Sequence, residues 1–155
     1  MAFITEKATN KELSIIMNRM KKNNGQPLYS EFASGSIRHF VEGEVKNGRA
    51  SGFHHQGLSE RGNAVAPGRA NKHGILESGV LIDGIKKSGN SGMSTLFPED
   101  WGIIKTLDAV SEAYHDPGRR LVPGTSNLYE GYTGKIKIGM YIDQNGKIKS
   151  AFPIL

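Results

Sequence analysis

Apolar and polar positions follow two rhythms along this chain, one helical and one alternating. In TNKELSIIMNRMKKNNG, residues 9–25, Leu13, Ile16, Met17 and Met20 recur on one helical face. Thr9 with Glu12 forms a capping box, Lys21-Lys22 suit the negative pole of the helix, and Asn24-Gly25 ends it. A second helix is predicted in PEDWGIIKTLDAVSEAYHDPG, residues 98–118. Pro98 and two acidic residues would form its first turn, Trp101, Ile104, Leu107, Val110 and Tyr114 its core stripe, and Pro117-Gly118 its stop. Trp101 is therefore expected to be buried. Between the helices, IRHFVEGEV reads as a strand placing His39, Val41 and Gly43 on one face, KHGILESGVLIDGI as further strand, and SERGNAVAPGRAN as a polar loop. The tail GKIKIGMYIDQNGKIKSAFPIL alternates, turns at residues 143–146 and alternates again, which is a hairpin. The fold class that follows is α+β: an N-terminal helix, two small antiparallel β-sheets and a second core helix.

Composition narrows the classes. With 155 residues and 37% apolar side chains, one domain can bury roughly two-thirds of its unfolded surface. The absence of cysteine excludes thiol catalysis and cysteine-ligated zinc. No apolar run approaches the roughly 20 residues of a membrane span, and the N-terminus lacks a signal-peptide core, so a soluble chain is expected. A formal charge of +5 gives a modest pull on polyanions.

The candidate chemistry sits in RHFVEGEVKNGRASGFHH, residues 38–55, which holds three of the five histidines. A hairpin or folded loop there would bring His39 and His54 face to face, the arrangement of an acid and a base sharing one substrate. Gly52 permits a tight backbone path before His54, and Glu44 is available to orient an imidazole. By position alone, His39 is equally readable as a strand histidine satisfied by the backbone. In an extended segment His55 points away from His54, and no acidic cluster accompanies them, so no metal site is assigned.

These blocks, HFVEGE, SGFHH, STLFPEDW and the terminal GKIKSAFPIL, resemble the EndoU family of endoribonucleases, in particular its bacterial toxin branch at the C-termini of contact-dependent and other polymorphic toxins. The family pattern of histidine, three residues, glycine and acidic residue falls on His39, Gly43 and Glu44, and its second histidine on His54. The resemblance implies an EndoU-like, RNase A-like architecture as a single nuclease domain, with a helical part over residues 1–35 and a catalytic part over 36–155. It implies cleavage of single-stranded RNA, preferentially at uridine, leaving a 2′,3′-cyclic phosphate, with no required cofactor and either independent of metal or stimulated by manganese. His54 would be the general base and His39 the general acid, both titrating near neutrality. The implied partners are RNA, tRNA included, and a cognate immunity protein, with no membrane; the protein would act as a monomer. It would be secreted or delivered as part of a larger bacterial toxin and act in the target-cell cytoplasm.

One element departs from the pattern. The family's catalytic lysine stands four residues before Ser94, where this chain has Asn90. Lys86 and Lys87 lie just upstream, and Lys87 is favoured for the role. The family's base-reading T-x-Y-P falls on Ser150, Ala151, Phe152 and Pro153, a hydroxyl and a ring without the tyrosine hydroxyl. Ser94 matches another position near the base and is equally readable as a helix cap. Glu44, Ser94, Ser150 and Phe152 are thus the substrate-side candidates, while His73 and His115 match no site position and read as structural. A metal-dependent DNase toxin and a non-catalytic RNA-binding module are the alternatives.

Overall fold

A computed structural model describes residues 30–55, 62–65, 68–87 and 89–155. The helix expected at residues 9–25 lies outside the described residues. The fold is α+β, with two helices and three antiparallel sheets among the described residues.

The first described element corrects the sequence reading. Residues Ser36–Glu42 form helix α1, not a strand. Ile37, Phe40 and Val41 stand at i, i+3 and i+4, a helical spacing, and all three are buried. Gly43, at φ +82°, ends the helix and lets the chain turn straight into strand β1 (Glu44–Lys46). An Asn47-Gly48 turn, both residues at positive φ, returns it antiparallel as β2 (Arg49–Ser51). The segment between His39 and His54 is therefore a helix end plus a hairpin.

Strand β4 (Leu76–Ile82) organises the second sheet, with β3 (Gly62–Val65) on one edge and β5 (Ile85–Lys86) and β6 (Met93–Leu96) on the other. Part of the expected polar loop is thus a strand: Gly62, Asn63, Ala64 and Val65 pair with β4 in register. Gly62 has no side chain because the ring of Phe53 occupies that space. Ala50, Phe53, Val80, Ile82 and Leu96 pack into the core of this half.

Helix α2 covers Ile103–Tyr114, starting five residues later than the sequence suggests. Pro98–Trp101 instead form a turn, closed by Trp101 N–H donating to the Pro98 carbonyl at 3.0 Å. That turn folds Trp101 into the core, where burial matches the expectation. The buried stripe of α2 is Ile103, Thr106, Leu107, Val110 and Ala113. It lies on a four-stranded meander ordered β10-β9-β8-β7. Of these, β7 (Arg120–Leu121) and β8 (Leu128–Thr133) have no counterpart in the sequence reading, whereas β9 (Ile136–Ile142) and β10 (Ile148–Ile154) are the expected hairpin. Asp143 Oδ1 accepts from the Asn145 and Lys147 amides and fixes the turn. The main core gathers α1, Phe97, Trp101, α2 and the inner faces of β9 and β10.

A clasp of backbone hydrogen bonds joins the two halves beneath the histidines. The His39 carbonyl accepts from Phe53 N–H at 3.2 Å, the Phe40 carbonyl from His54 N–H at 2.6 Å, and the His54 carbonyl from Phe97 N–H at 2.7 Å. The approach is so close that a Cβ on Gly52 would stand 2.0 Å from the His39 carbonyl oxygen. Gly52→Ala is therefore expected to destabilise by several kcal/mol, well beyond the roughly 1–2 kcal/mol of left-handed backbone strain alone. Gly48, also at positive φ but with nothing within 4 Å, isolates that strain. Urea denaturation of both alanine variants measures the difference, and equal losses would refute the close-approach account.

Candidate active site

A cleft of about 550 Å³ is lined from the β4 sheet and from the β9–β10 hairpin, and His39, His54, Lys87, Ser150 and Phe152 all line it. The side chains arrive from four parts of the chain. His39 comes from the last turns of α1, His54 from the extended segment after β2, and Lys87 from the end of β5. Ser150 and Phe152 come from alternate positions of β10, which is why they share a face. The structure thus brings six of the seven sequence candidates, Ser94 among them, to the walls of one cleft. The seventh, Glu44, stands behind His39.

Both imidazoles are held through Nδ1. His54 Nδ1 lies 2.7 Å from the Thr95 carbonyl, an acceptor only, so Nδ1 carries the proton and Nε2 is left as the ring's acceptor nitrogen. His39 Nδ1 lies 2.5 Å from Glu44 Oε1, which likewise assigns Nδ1 as the donor and leaves Nε2 for the cleft. Glu44 itself faces a neighbouring hollow rather than this cleft. It orients His39 through the return path that Gly43 makes.

Ser94 lies inside β6, so it caps no helix, and it is almost wholly buried. Its hydroxyl donates to the Phe53 carbonyl at 2.9 Å, accepts from Lys87 Nζ at 3.2 Å and lies 3.0 Å from His54 Nδ1. It ties the cation to the histidine. Lys86, adjacent on the strand, points outward and stays exposed, its aliphatic chain against Gly92.

Burial sets the protonation states. Desolvation, then the Lys87 charge, hold the His54 pKa at about 3 in the free protein. The expectation that both histidines titrate near neutrality therefore fails for His54, which is neutral across the physiological range. Lys87 is itself lowered to about 8 by burial. His55 turns the other way: its Nε2 donates to the Trp101 carbonyl at 2.8 Å, its ring lies beside Phe97, and burial lowers its pKa to about 4. His115 pairs with Glu31 at the surface, and His73 sits in the turn made by Asn71, both away from the cleft.

Tyr141 is the lining residue that sequence reasoning missed. It pairs directly with Ser150 across the β9–β10 hairpin, and its ring stands 6.0 Å from that of Phe152. The hairpin was legible, but a register shift between Ile148 and Ser150 displaces the pairing, so counting out from the turn does not give this partner. The Phe152 ring also lies 5.6 Å from the His54 ring and crosses Gly139, where a Cβ would meet it at 2.5 Å.

Among the described residues no group of three or more His, Asp or Glu side chains converges as a metal's ligands would. These described residues do not make the donor set of a resident manganese ion.

A family model described as bacterial EndoU nuclease matches residues 34–155. A Bacillus cereus protein named Toxin is 38% identical over 128 residues, covering 79% of this chain and 23% of its own length. The chain thus spans about a quarter of that relative. No solved structure matches.

The two buried imidazoles make an acid limb in stability. The unfolded chain binds protons at both near pH 6.5, whereas the folded chain resists until about 4 at His55 and about 3 at His54. Stability should therefore fall as pH drops below about 6.5, with a limiting slope near 1.4 kcal/mol per pH unit for each group. Urea midpoints between pH 7 and 5 measure it; His55→Gln should remove about half of this contribution, and an unchanged slope would refute the assignment.

Proposed function

The chain belongs to the bacterial EndoU nuclease family, and on that premise we propose that it is an endoribonuclease cleaving single-stranded RNA at uridine. The observation that carries the reading is the convergence of His39, His54 and Lys87 on one cleft, with both imidazoles pinned at Nδ1. RNA supplies its own nucleophile, so a base, an acid and a cation complete the chemistry.

His54 Nε2 takes the proton of the ribose 2′-OH. The freed 2′-oxygen attacks the adjacent phosphorus, the bond from phosphorus to the 5′-oxygen breaks, and His39 Nε2 gives its proton to that oxygen. The products are a 2′,3′-cyclic phosphate and a 5′-hydroxyl. Lys87 stands beside the phosphate as negative charge builds in the transition state. Ser94 and Glu44 position the reacting groups. The Ser150 hydroxyl bonds the pyrimidine edge, and Phe152 stacks on the base, as in single-strand readers. The relative named Toxin supports a second part of the reading: this nuclease is delivered as the active end of a larger bacterial toxin, acts on RNA such as tRNA in the target-cell cytoplasm, and is held in check in its producer by a cognate immunity protein.

Digestion of labelled RNA and DNA in excess EDTA tests the chemistry. RNA cut at uridine with cyclic-phosphate ends supports it; DNA cut only with added metal, or RNA bound without cutting, overturns it. His39→Ala and His54→Ala should each lower the rate by at least about 10², while His115→Ala, remote from the cleft, should cleave normally. Lys87→Ala should lower kcat by about 10² to 10³, with a smaller loss of affinity for uncleaved RNA. Because Lys87 loses its charge as pH rises through about 8, kcat/KM should fall on that alkaline side, and this limb should vanish in Lys87→Ala. A limb that persists there would assign it to another group.

A further inference from the structure

A second hollow of about 620 Å³ adjoins the first, and His39, Tyr141 and Ser150 belong to the walls of both. Its walls also carry Lys46, Lys149, Ser36 and Asn127, together with the Glu44 carboxylate that holds His39. No carboxylate among the described residues pairs with either lysine. The Ser36 hydroxyl is the one buried side-chain polar atom among the described residues without a hydrogen-bond partner, although Ser36 is only 4% exposed. An orphaned buried hydroxyl costs free energy unless something completes it. Beyond Asn127 and Lys149 a third hollow of about 660 Å³ continues along the β9–β10 turn.

We propose that this second hollow is the subsite for the nucleotide on the 3′ side of the cut. The inference rests on the endoribonuclease reading, because direction comes from the acid. His39 protonates the 5′-oxygen of the departing nucleotide, so that nucleotide must lie against His39. His39 lines both the uridine cleft and this hollow. Lys46 and Lys149 supply charge for the phosphate that follows, and Ser36 and Asn127 supply hydrogen-bonding groups for a base or ribose. The exposed Tyr141 ring, shared by both hollows, offers a stacking face between successive bases. Its size falls within the range of small-ligand sites, and the site reads a strand of at least two nucleotides beyond the uridine.

The test compares kcat/KM for three substrates with the same uridine: an aryl ester of uridine 3′-phosphate, the dinucleotide UpA and the tetranucleotide UpApApA. The wild-type protein should gain about tenfold or more from UpA to UpApApA. In Lys46→Ala/Lys149→Ala that ratio should fall toward one, and the slope of log kcat/KM against log salt on the tetranucleotide should flatten by about 1.4, the effect of two lost phosphate contacts at ~0.7 each. Ser36→Ala, which removes an unpartnered hydroxyl, should reduce the same ratio without lowering the urea midpoint. A ratio near one in the wild-type protein, or an unchanged ratio and salt slope in the double variant, overturns the subsite while leaving uridine cleavage standing. Failure of the wild-type protein to release a cyclic phosphate from any of the three overturns the endoribonuclease reading and the subsite with it.

Discussion

Everything in the cleft depends on how closely the His54 strand passes under the end of α1. The clasp that ties the His39 and Phe40 carbonyls to the amides of Phe53 and His54 admits no side chain at residue 52. It also holds Phe53 at φ +65°, a conformation rare for a bulky residue and tolerated where surrounding packing over-determines it. Phe53 is wedged among Gly43, Gly62 and the core of the second sheet. The two imidazoles are thus referenced to each other through backbone, which is stiffer than any side-chain contact. A cleft built this way needs no ligand to assemble it.

Much of this architecture was readable from pattern, and the failures have physical causes. The C-terminal hairpin and α2 follow strong periodicity and turn chemistry, and both are present. The helix at residues 36–42 was hidden by its length: seven residues give barely two turns, and over so short a window His39, Val41 and Gly43 alternate as they would along a strand. The start of α2 was misplaced because Pro98 and two acids suit a first helical turn, while the demand to bury Trp101 prevails. The β3 strand was hidden in a segment rich in turn-forming residues. What decides it is pairing with β4, a non-local interaction that composition does not encode.

The candidate site divides the same way. His39 and His54 could be nominated by residue type and spacing, since few roles need two imidazoles in so short a stretch. The lysine could not be fixed, because which of two adjacent strand residues faces inward depends on the pairing of β5 with β4. Ser94 could be noticed but not understood: its hydroxyl serves as a junction between a histidine, a lysine and a carbonyl that are distant in sequence. Tyr141 lies one bulge away from being countable. In each case the type of residue was legible and its partner was not.

Lys87 carries a further implication. It is half-buried, and none of the ion pairs among the described residues includes it. A cation so placed weakens the empty fold and, beside it, keeps His54 from accepting a proton. A phosphate entering the cleft would remove both penalties at once, since an anion near Lys87 restores the charge that burial disfavours and makes His54 a stronger base. Ligand binding and folding are then linked through a single electrostatic defect. The empty cleft is thus its least favourable electrostatic state, because among the described residues no carboxylate pairs with Lys87.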